Sequence, residues 1–592
     1  MPVLVNRSGH TCQPLPSVYK PRCPSGQHHR LHKSRRHHLL RMKLFVAAAL
    51  LALVASVPLD SQVEDQDELE MHEVWGSSYK EVQEKMGLNN GASLSRSGQV
   101  LDSVFWKSIA QEIIQTKLND KVYHHQAKNA ILFIGDGMSI HTLAAARKQK
   151  GLLHGADIPE HTMLSWEKFP YTGLSKTYNC DRWTADSAST ATAYLTGAKG
   201  NFLTVGVDCS VLIWNCDAVN EASSPKSILR YGVEAGKWVG LVSTARITHA
   251  SPAATFGHTA YRTWESDADF VAMEWMTGPV KDSCKNSMKD LSTQFVEREG
   301  IDINVAFGGG WGKFTPKEVE GGSRLDGRDL IQEWKDKQAS LGRSYAYLTT
   351  KDELNNFDAT SADYVLGLFS RSHMQYRAFQ TPDDVNLTEM VKKALEILKR
   401  GPNGFVLFVE GAKIDHGHHY GNAYTAIDET IELEEVVQYA VDNTDESDTL
   451  IVVSSDHAHT FKINGYPERG LDMYGPASFL AGGMQKGGPP PSLPYPILQY
   501  ANGPGGTRTK EEQDAKRAAL TETGPDAEWR DPHYKQFAGI YLPKETHGGD
   551  DVGIFARGPG AHLLRGSLEE NYIHHVINWA LCQGDYLTVC DE

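Results

Sequence analysis

Residues 405–419 read Phe-Val-Leu-Phe-Val-Glu-Gly-Ala-Lys-Ile-Asp-His-Gly-His-His. A short, unbroken apolar run gives way at once to two carboxylates and three imidazoles. A run of that length without polar alternation reads as a strand buried on both faces of a sheet. Ionised groups at its end would have to be paired or metal-bound to offset their desolvation. Carboxylate oxygen suits magnesium, and imidazole with carboxylate suits zinc. The stretch therefore predicts a buried strand that delivers metal ligands at its carboxyl end.

The same pattern recurs along the chain. Ala130–Ile134 ends at Gly135-Asp136-Gly137, with a helix expected around Ile140–Lys148; Trp238–Val242 and Thr449–Val453 are further strands, and Val552–Phe555 reads as the last one. Short apolar runs alternating with helices predict an α/β fold, a large and mostly parallel central sheet flanked by helices on both faces. In such open sheets ligands bind at the carboxyl edge. Asp136, Glu410 and Asp456 each close a strand there. One such aspartate would pass as a helix cap. Three of them, two beside histidine clusters, define a site. Asp456-His457-Ala458-His459 repeats the opening theme, and Glu545-Thr546-His547 adds an imidazole. Asp186-Ser187-Ala188-Ser189-Thr190-Ala191-Thr192-Ala193 suits a helix packed closely on the sheet, with Ser187 at its amino end, where backbone N–H groups favour an alkoxide or phosphate. No Gly-x-Ser-x-Gly relay accompanies it, so metal activation is the better account of a nucleophilic serine.

The 592 residues exceed one simple core, and the parts differ in composition. Residues 1–41 are a basic, His-rich upstream extension; 42–57 have the charged flank and short apolar run of a secretory signal peptide. Residues 58–120 read as an acidic arm followed by a helix, in which Phe105, Ile109, Ile113 and Leu118 form an apolar stripe for core packing or for gripping a second subunit. A catalytic domain is expected over 121–592, interrupted by a Gly- and Pro-rich surface insertion at 465–545. Residues 1–57 hold nine basic and no acidic side chains, so their removal takes the formal charge from −15 to −24. That charge excludes a nucleic-acid binder working through a basic surface. Six cysteines remain; Cys582 with Cys590 and Cys216 with Cys284 are the expected disulfides, while a bridge between Cys180 and Cys209 is left open. Asn386-Leu387-Thr388 is a glycosylation sequon, in keeping with secretion.

Gly135-Asp136-Gly137-Met138, Asp186-Ser187-Ala188, His249-Ala250-Ser251-Pro252, Glu410–His419, Asp456-His457-Ala458-His459 and Thr546-His547 follow the order of the alkaline phosphatases. From Phe105 to Cys590 the chain resembles the animal, arthropod-like members of that family. The resemblance implies hydrolysis of a broad range of phosphate monoesters through a phosphoserine on Ser187. It implies two zinc ions and one magnesium ion: Asp415, His419 and His547 for the first zinc, Asp136, Asp456 and His457 for the second, and Asp136, Ser251 and Glu410 for magnesium. Arg262 matches the phosphate clamp; His249 and His459 match residues that orient ligands or water, and His416 and His418 are left as structural or as supports for the ligands. No calcium site is expected, because Leu368-Phe369 is followed by Ser370 where vertebrate members carry a glutamate. A homodimer is implied, with Tyr466 and the 105–120 helix as interface elements. The chain ends at Cys590-Asp591-Glu592 without an apolar tail, so a secreted, extracellular enzyme is expected, or a glycosylphosphatidylinositol-anchored one if a tail is missing. A phosphodiesterase or sulfatase of the same superfamily, and an inactive binding protein on the same scaffold, are the rival readings.

Overall fold

The apolar runs pair into one ten-stranded sheet in the computed structural model of the protein, which describes residues 98–99, 101–272, 284, 287–465, 467, 469, 471–477, 493–521 and 526–591. The described residues belong to one compact unit, 74–592. The upstream extension, the signal peptide, most of the 58–100 arm, Tyr466 and the Pro-rich tract 478–492 lie outside the described residues.

The strands in chain order are β1 (Asn129–Gly135), β2 (Tyr171–Lys176), β3 (Trp238–Arg246), β4 (Val305–Gly309), β5 (Tyr345–Leu348), β6 (Tyr364–Leu368), β7 (Phe405–Gly411), β8 (Thr449–Ser455), β9 (Ala458–His459), β10 (Phe461–Ile463), β11 (Leu498–Gly503), β12 (Phe537–Tyr541), β13 (His547–Gly548), β14 (Val552–Arg557) and β15 (Gly566–Glu569). Their order across the large sheet is β15-β2-β14-β8-β1-β7-β3-β4-β6-β5. Only β14 runs against the others. Val552–Phe555 thus forms a strand as expected, but β15 follows it, so it is not the last.

Residues alternate between two cores, as period-two geometry demands. Ile131, Phe133, Leu407, Val409, Ile451 and Val453 face one layer, with helices α5 (Leu387–Leu398) and α7 (Ala423–Asp442). Ala130, Leu132, Ile134, Val406, Phe408, Leu450 and Val452 face the other, with α3 (Ser187–Thr196) and α9 (Tyr572–Leu581). Each fully buried large side chain contributes about 1.5–3 kcal/mol, and β8, β1 and β7 are buried on both faces. The remaining helices near the site are α2 (Ile140–Leu153), α4 (Ala250–Ala253) and α6 (Lys413–His419).

Two expectations change. Helix α1 (Ser103–Leu118) forms, capped by Asp102, yet none of its residues is buried, so the Phe105–Leu118 stripe is not core packing. The 465–545 insertion is more regular than its turn-rich composition implied: β11 and β12 join β10 in a three-stranded sheet, and Lys510–Ala519 forms helix α8. Cys216–Cys284 is bonded, and so is Cys180–Cys209, which closes the open question. Cys582 is also disulfide-bonded; the side chain of Cys590 lies outside the described residues.

The turn after β1 ties fold to site. Gly137 has φ +70°, and a Cβ there would meet the His459 ring at 2.5 Å and Asp415 Cα at 3.2 Å. Its N–H donates to Asp456 Oδ1 at 2.9 Å. Gly137→Ala should cost about 1–2 kcal/mol from backbone conformation alone and displace His459. A lowered unfolding midpoint together with reduced divalent-metal content per chain is the expected outcome; unchanged metal content would contradict the packing described.

Candidate active site

Asp136, Glu410 and Asp456 stand at the ends of three adjacent strands, because β1 pairs in parallel with both β7 and β8 and places Ile134 beside Glu410 and Gly135 beside Ser455. All three are fully buried. Burial, with mutual repulsion added, holds the Asp136 carboxyl well above the usual range and pushes Glu410 to about 7. Asp456 is raised for the same first reason. Their remaining atoms form a pattern: among the described residues Asp136 Oδ2 and Glu410 Oε1 are buried without a hydrogen bond in good geometry, and so is Ser251 Oγ, which lies beside Glu410. These are the three oxygens of the expected magnesium set, and a hard cation is the partner such oxygens lack. Ser243, registered against Glu410 on β3, fixes the other oxygen of that glutamate at 2.5 Å.

Helix α6 continues from β7 and turns Asp415 and His419, four residues apart, onto one face. His419 donates Nδ1–H to the Glu545 carbonyl at 2.6 Å, and His547 donates Nδ1–H to the Ala185 carbonyl at 2.8 Å. Both Nε2 lone pairs then face inward, 3.1 Å apart, and lie 3.3 and 3.4 Å from Asp415 Oδ1. Two acceptors aimed at each other beside a carboxylate repel unless a cation lies between them, and backbone acceptors on the far nitrogens are how ligating imidazoles are usually oriented. Burial lowers His419 to about 4, so the ring is neutral near pH 7.

His459 belongs to this cluster but has neither nitrogen free. Its Nε2 meets Asp415 Oδ1 at 2.7 Å and its Nδ1 meets Glu545 Oε2 at 2.5 Å. Burial opposes its charge, yet Glu545 and Asp415 together raise it to about 10, making it an imidazolium between two carboxylates. Burial opposes the charge of Asp415, yet its imidazole neighbours, with the charged His459 ring in direct contact, hold it well below the usual range.

The second cluster adjoins the first, since the His457 and His547 rings stack with centroids 3.5 Å apart. His457 Nε2 is 3.2 Å from Asp456 Oδ2 and 3.4 Å from Asp136 Oδ1. Ser187 Oγ lies 3.2 Å from the same nitrogen and 3.4 Å from Asp136 Oδ1. Asp186 caps α3 through Ala188 N–H and presents Oδ2 to Arg262 Nη1 at 3.0 Å. Arg262 Nη2 donates to His249 Nε2 at 3.1 Å. His249, on the turn before α4, shares a three-ring cluster with His416 and His373. His418 points away, bonded to Thr142 and Tyr500, and is structural.

All eight expected metal residues thus meet with Ser187 and Arg262 at one sheet edge. Asn386 lies elsewhere, capping α5 through its Oδ1. Sequence reasoning missed Glu545, Ser243, Asp186 and His373. Only Glu545 had a local signal, two residues before His547.

Fold and site define a metal-dependent hydrolase of the open α/β kind. The alkaline phosphatase family model matches residues 127–583. The alkaline phosphatase of Gadus morhua is 39% identical over 492 residues, 81% of this chain and 97% of that protein. The tissue-nonspecific isozyme of Homo sapiens is 38% identical, covering 83% and 90%; the membrane-bound alkaline phosphatase of Bombyx mori is 37% identical, covering 86% and 90%. Among solved structures, alkaline phosphatase from Thermus thermophilus shares the fold with a TM-score of 0.54 at 22% identity over 78% of this chain and 93% of that one. That from the Antarctic bacterium TAB5 gives 0.51 at 20% identity, covering 77% and 98%. The chain belongs to the alkaline phosphatase family. It is a metal-dependent phosphoric monoester hydrolase.

The His459 imidazolium generates a test with a definite sign. Its folded pKa lies above the 6.5 of an ordinary histidine, so the stability it adds is complete below pH 6.5 and lost as pH rises through about 10. Glu545→Gln removes the larger of the two raising influences. Between pH 6.5 and 10 the metal-free variant should lose less of its unfolding midpoint than metal-free wild type; equal losses would refute the imidazolium assignment.

Proposed function

We propose that Ser187 is the nucleophile and that its reaction proceeds through a phosphoserine. The observation that carries this reading is Ser187 Oγ, 3.2 Å from His457 Nε2 and 3.4 Å from Asp136 Oδ1, beside a second cluster whose Nε2 lone pairs converge. Asp415, His419 and His547 would hold one zinc ion, Asp136, Asp456 and His457 a second, and Asp136, Ser251 and Glu410 magnesium; the donor sets fit, imidazole with carboxylate for each zinc and all-oxygen for magnesium. Bound there, such cations supply Lewis-acid stabilisation of charge and lower the pKa of a hydroxyl or water.

The chain's own groups do the rest. Ser187 Oγ attacks phosphorus and loses its proton, the bond to the alcohol oxygen breaks, and that oxygen leaves on the opposite side. Water then cleaves the serine ester, releasing phosphate and restoring the hydroxyl. Arg262 offers a planar fork to the equatorial phosphoryl oxygens, and Asp186 and His249 hold that fork in place. His459 positions Asp415. Recognition is centred on phosphate, which supports broad specificity toward the alcohol.

We further assign three cations and no calcium, since position 370 offers a neutral hydroxyl, donated to the His373 carbonyl at 2.8 Å, in place of a carboxylate. Helix α1 has no buried residue, and Val104, Ile113, Ile114 and Leu118 face solvent, which supports a homodimer with this helix in the interface. The disulfides support an extracellular protein, secreted or surface-anchored; among the described residues no helix is long and apolar enough to cross a membrane.

Ser187→Ala should lower aryl phosphate turnover by at least about a thousandfold while zinc and magnesium content per chain stays at the wild-type value. Turnover within tenfold of wild type would overturn the nucleophile assignment. Comparable wild-type rates on a diester or an aryl sulfate would favour the rival esterases of the superfamily.

A further inference from the structure

The loop between β2 and α3, residues 179–184, is held at nearly every position but one. Buried Asn179 accepts from the Asp181 and Arg182 N–H groups at 3.2 and 2.7 Å and donates to Ser189 Oγ on the nucleophile helix at 2.9 Å. Cys180 is bonded to Cys209, and its N–H donates to the Gly200 carbonyl. Asp181 accepts from Phe202 N–H at 2.8 Å, and the Arg182 guanidinium lies 5.6 Å above the Phe202 ring. Ala185 is buried, with its carbonyl taken by His547. Between these fixed points Trp183 is 85% exposed, more than any other large apolar side chain among the described residues. Its indole makes no hydrogen bond or ring contact among them. Its edge passes 3.8–4.0 Å from where a Cβ on Gly549 would stand.

Folding gives no reason for an indole here. Tryptophan is among the residues with most to gain from burial, and this one is presented to water by a loop fastened with a disulfide and several hydrogen bonds. Its position has a chemical meaning instead. Trp183 lies four residues before Ser187, and Gly549 two residues after His547, so the indole marks the seam between the segment bearing the nucleophile and the segment bearing a leaving-side ligand. In-line displacement sends the alcohol away from Ser187, and the segment the indole lies against is the one that carries His547, a proposed ligand on the leaving side. A flat, rigid π-face there is a stacking platform, and stacking of a base on an aromatic side chain tolerates any planar ring.

We propose that Trp183 is a specificity-determining residue that stacks against the ring of aromatic and heteroaromatic leaving alcohols, favouring aryl and nucleoside monophosphates over aliphatic ones. The inference rests on the phosphomonoesterase reading and adds a substrate class to it. Substitution of so exposed a side chain leaves the core untouched. The test compares wild type, Trp183→Ala and Trp183→Phe, all metal-loaded, on adenosine 5′-monophosphate and glycerol 2-phosphate. In Trp183→Ala the ratio of kcat/KM between the nucleotide and the glycerol ester should fall by about fivefold or more, through KM, while Trp183→Phe keeps the wild-type ratio within about twofold. A ratio unchanged in Trp183→Ala, or a fall carried by kcat alone, overturns the proposal. So does a Trp183→Phe enzyme as impaired as the alanine variant. Wild type that hydrolyses neither ester overturns the phosphomonoesterase reading itself, an outcome distinct from an active but undiscriminating Trp183→Ala.

Discussion

Four carboxyl groups, Asp136, Glu410, Asp415 and Asp456, are buried at one end of a parallel sheet, none more than 4% exposed. Their resident counter-charges are few. Arg262 is already paired with Asp186, and the His459 imidazolium is shared between Asp415 and Glu545. Burying unpaired carboxylates is expensive enough that they protonate instead, and this is the direction taken by Asp136, Glu410 and Asp456. Divalent cations resolve the conflict, and the donor atoms left unsatisfied are those that cations would use. The pocket is therefore a folding problem and a catalytic device at once: the arrangement that stores repulsion without metal is the one that binds metal tightly.

The sheet imposes this arrangement. Parallel pairing of β8, β1 and β7 sets three strand ends in register, so Asp136 must share a few ångströms with Glu410 and Asp456, which lie far along the chain from it. The two helical layers then supply different parts. The α3 layer brings Ser187 and its cap; α6, packed through Ile414 into the opposite core, brings Asp415 and His419. The site exists only where both layers end on the same edge.

What could be read from sequence was whatever is written locally. Five-residue apolar runs closed by acids announced strands and ligands, and Asp186–Ala193 announced a tightly packed helix. Arg262 and Ser251 have no such local mark and entered through resemblance. Ser243 and Asp186 escaped because their roles come from cross-strand register and from a contact 76 residues away along the chain. The α1 stripe was legible as a helix but not as exposed, since periodicity records an apolar face and says nothing of what covers it. The irregular look of 465–545 misled for the opposite reason: Gly and Pro mark the turns and hide the short strands between them.

Asp186 carries a wider consequence. One carboxylate both starts the nucleophile helix and anchors the guanidinium fork. On the roles proposed for Ser187 and Arg262, attack geometry and oxyanion grip are thereby yoked to a common pivot, so a shift of one moves the other. Adjusting phosphate retention at this scaffold means adjusting turnover with it, and lineages that need to separate the two must first relocate one of those duties to another side chain.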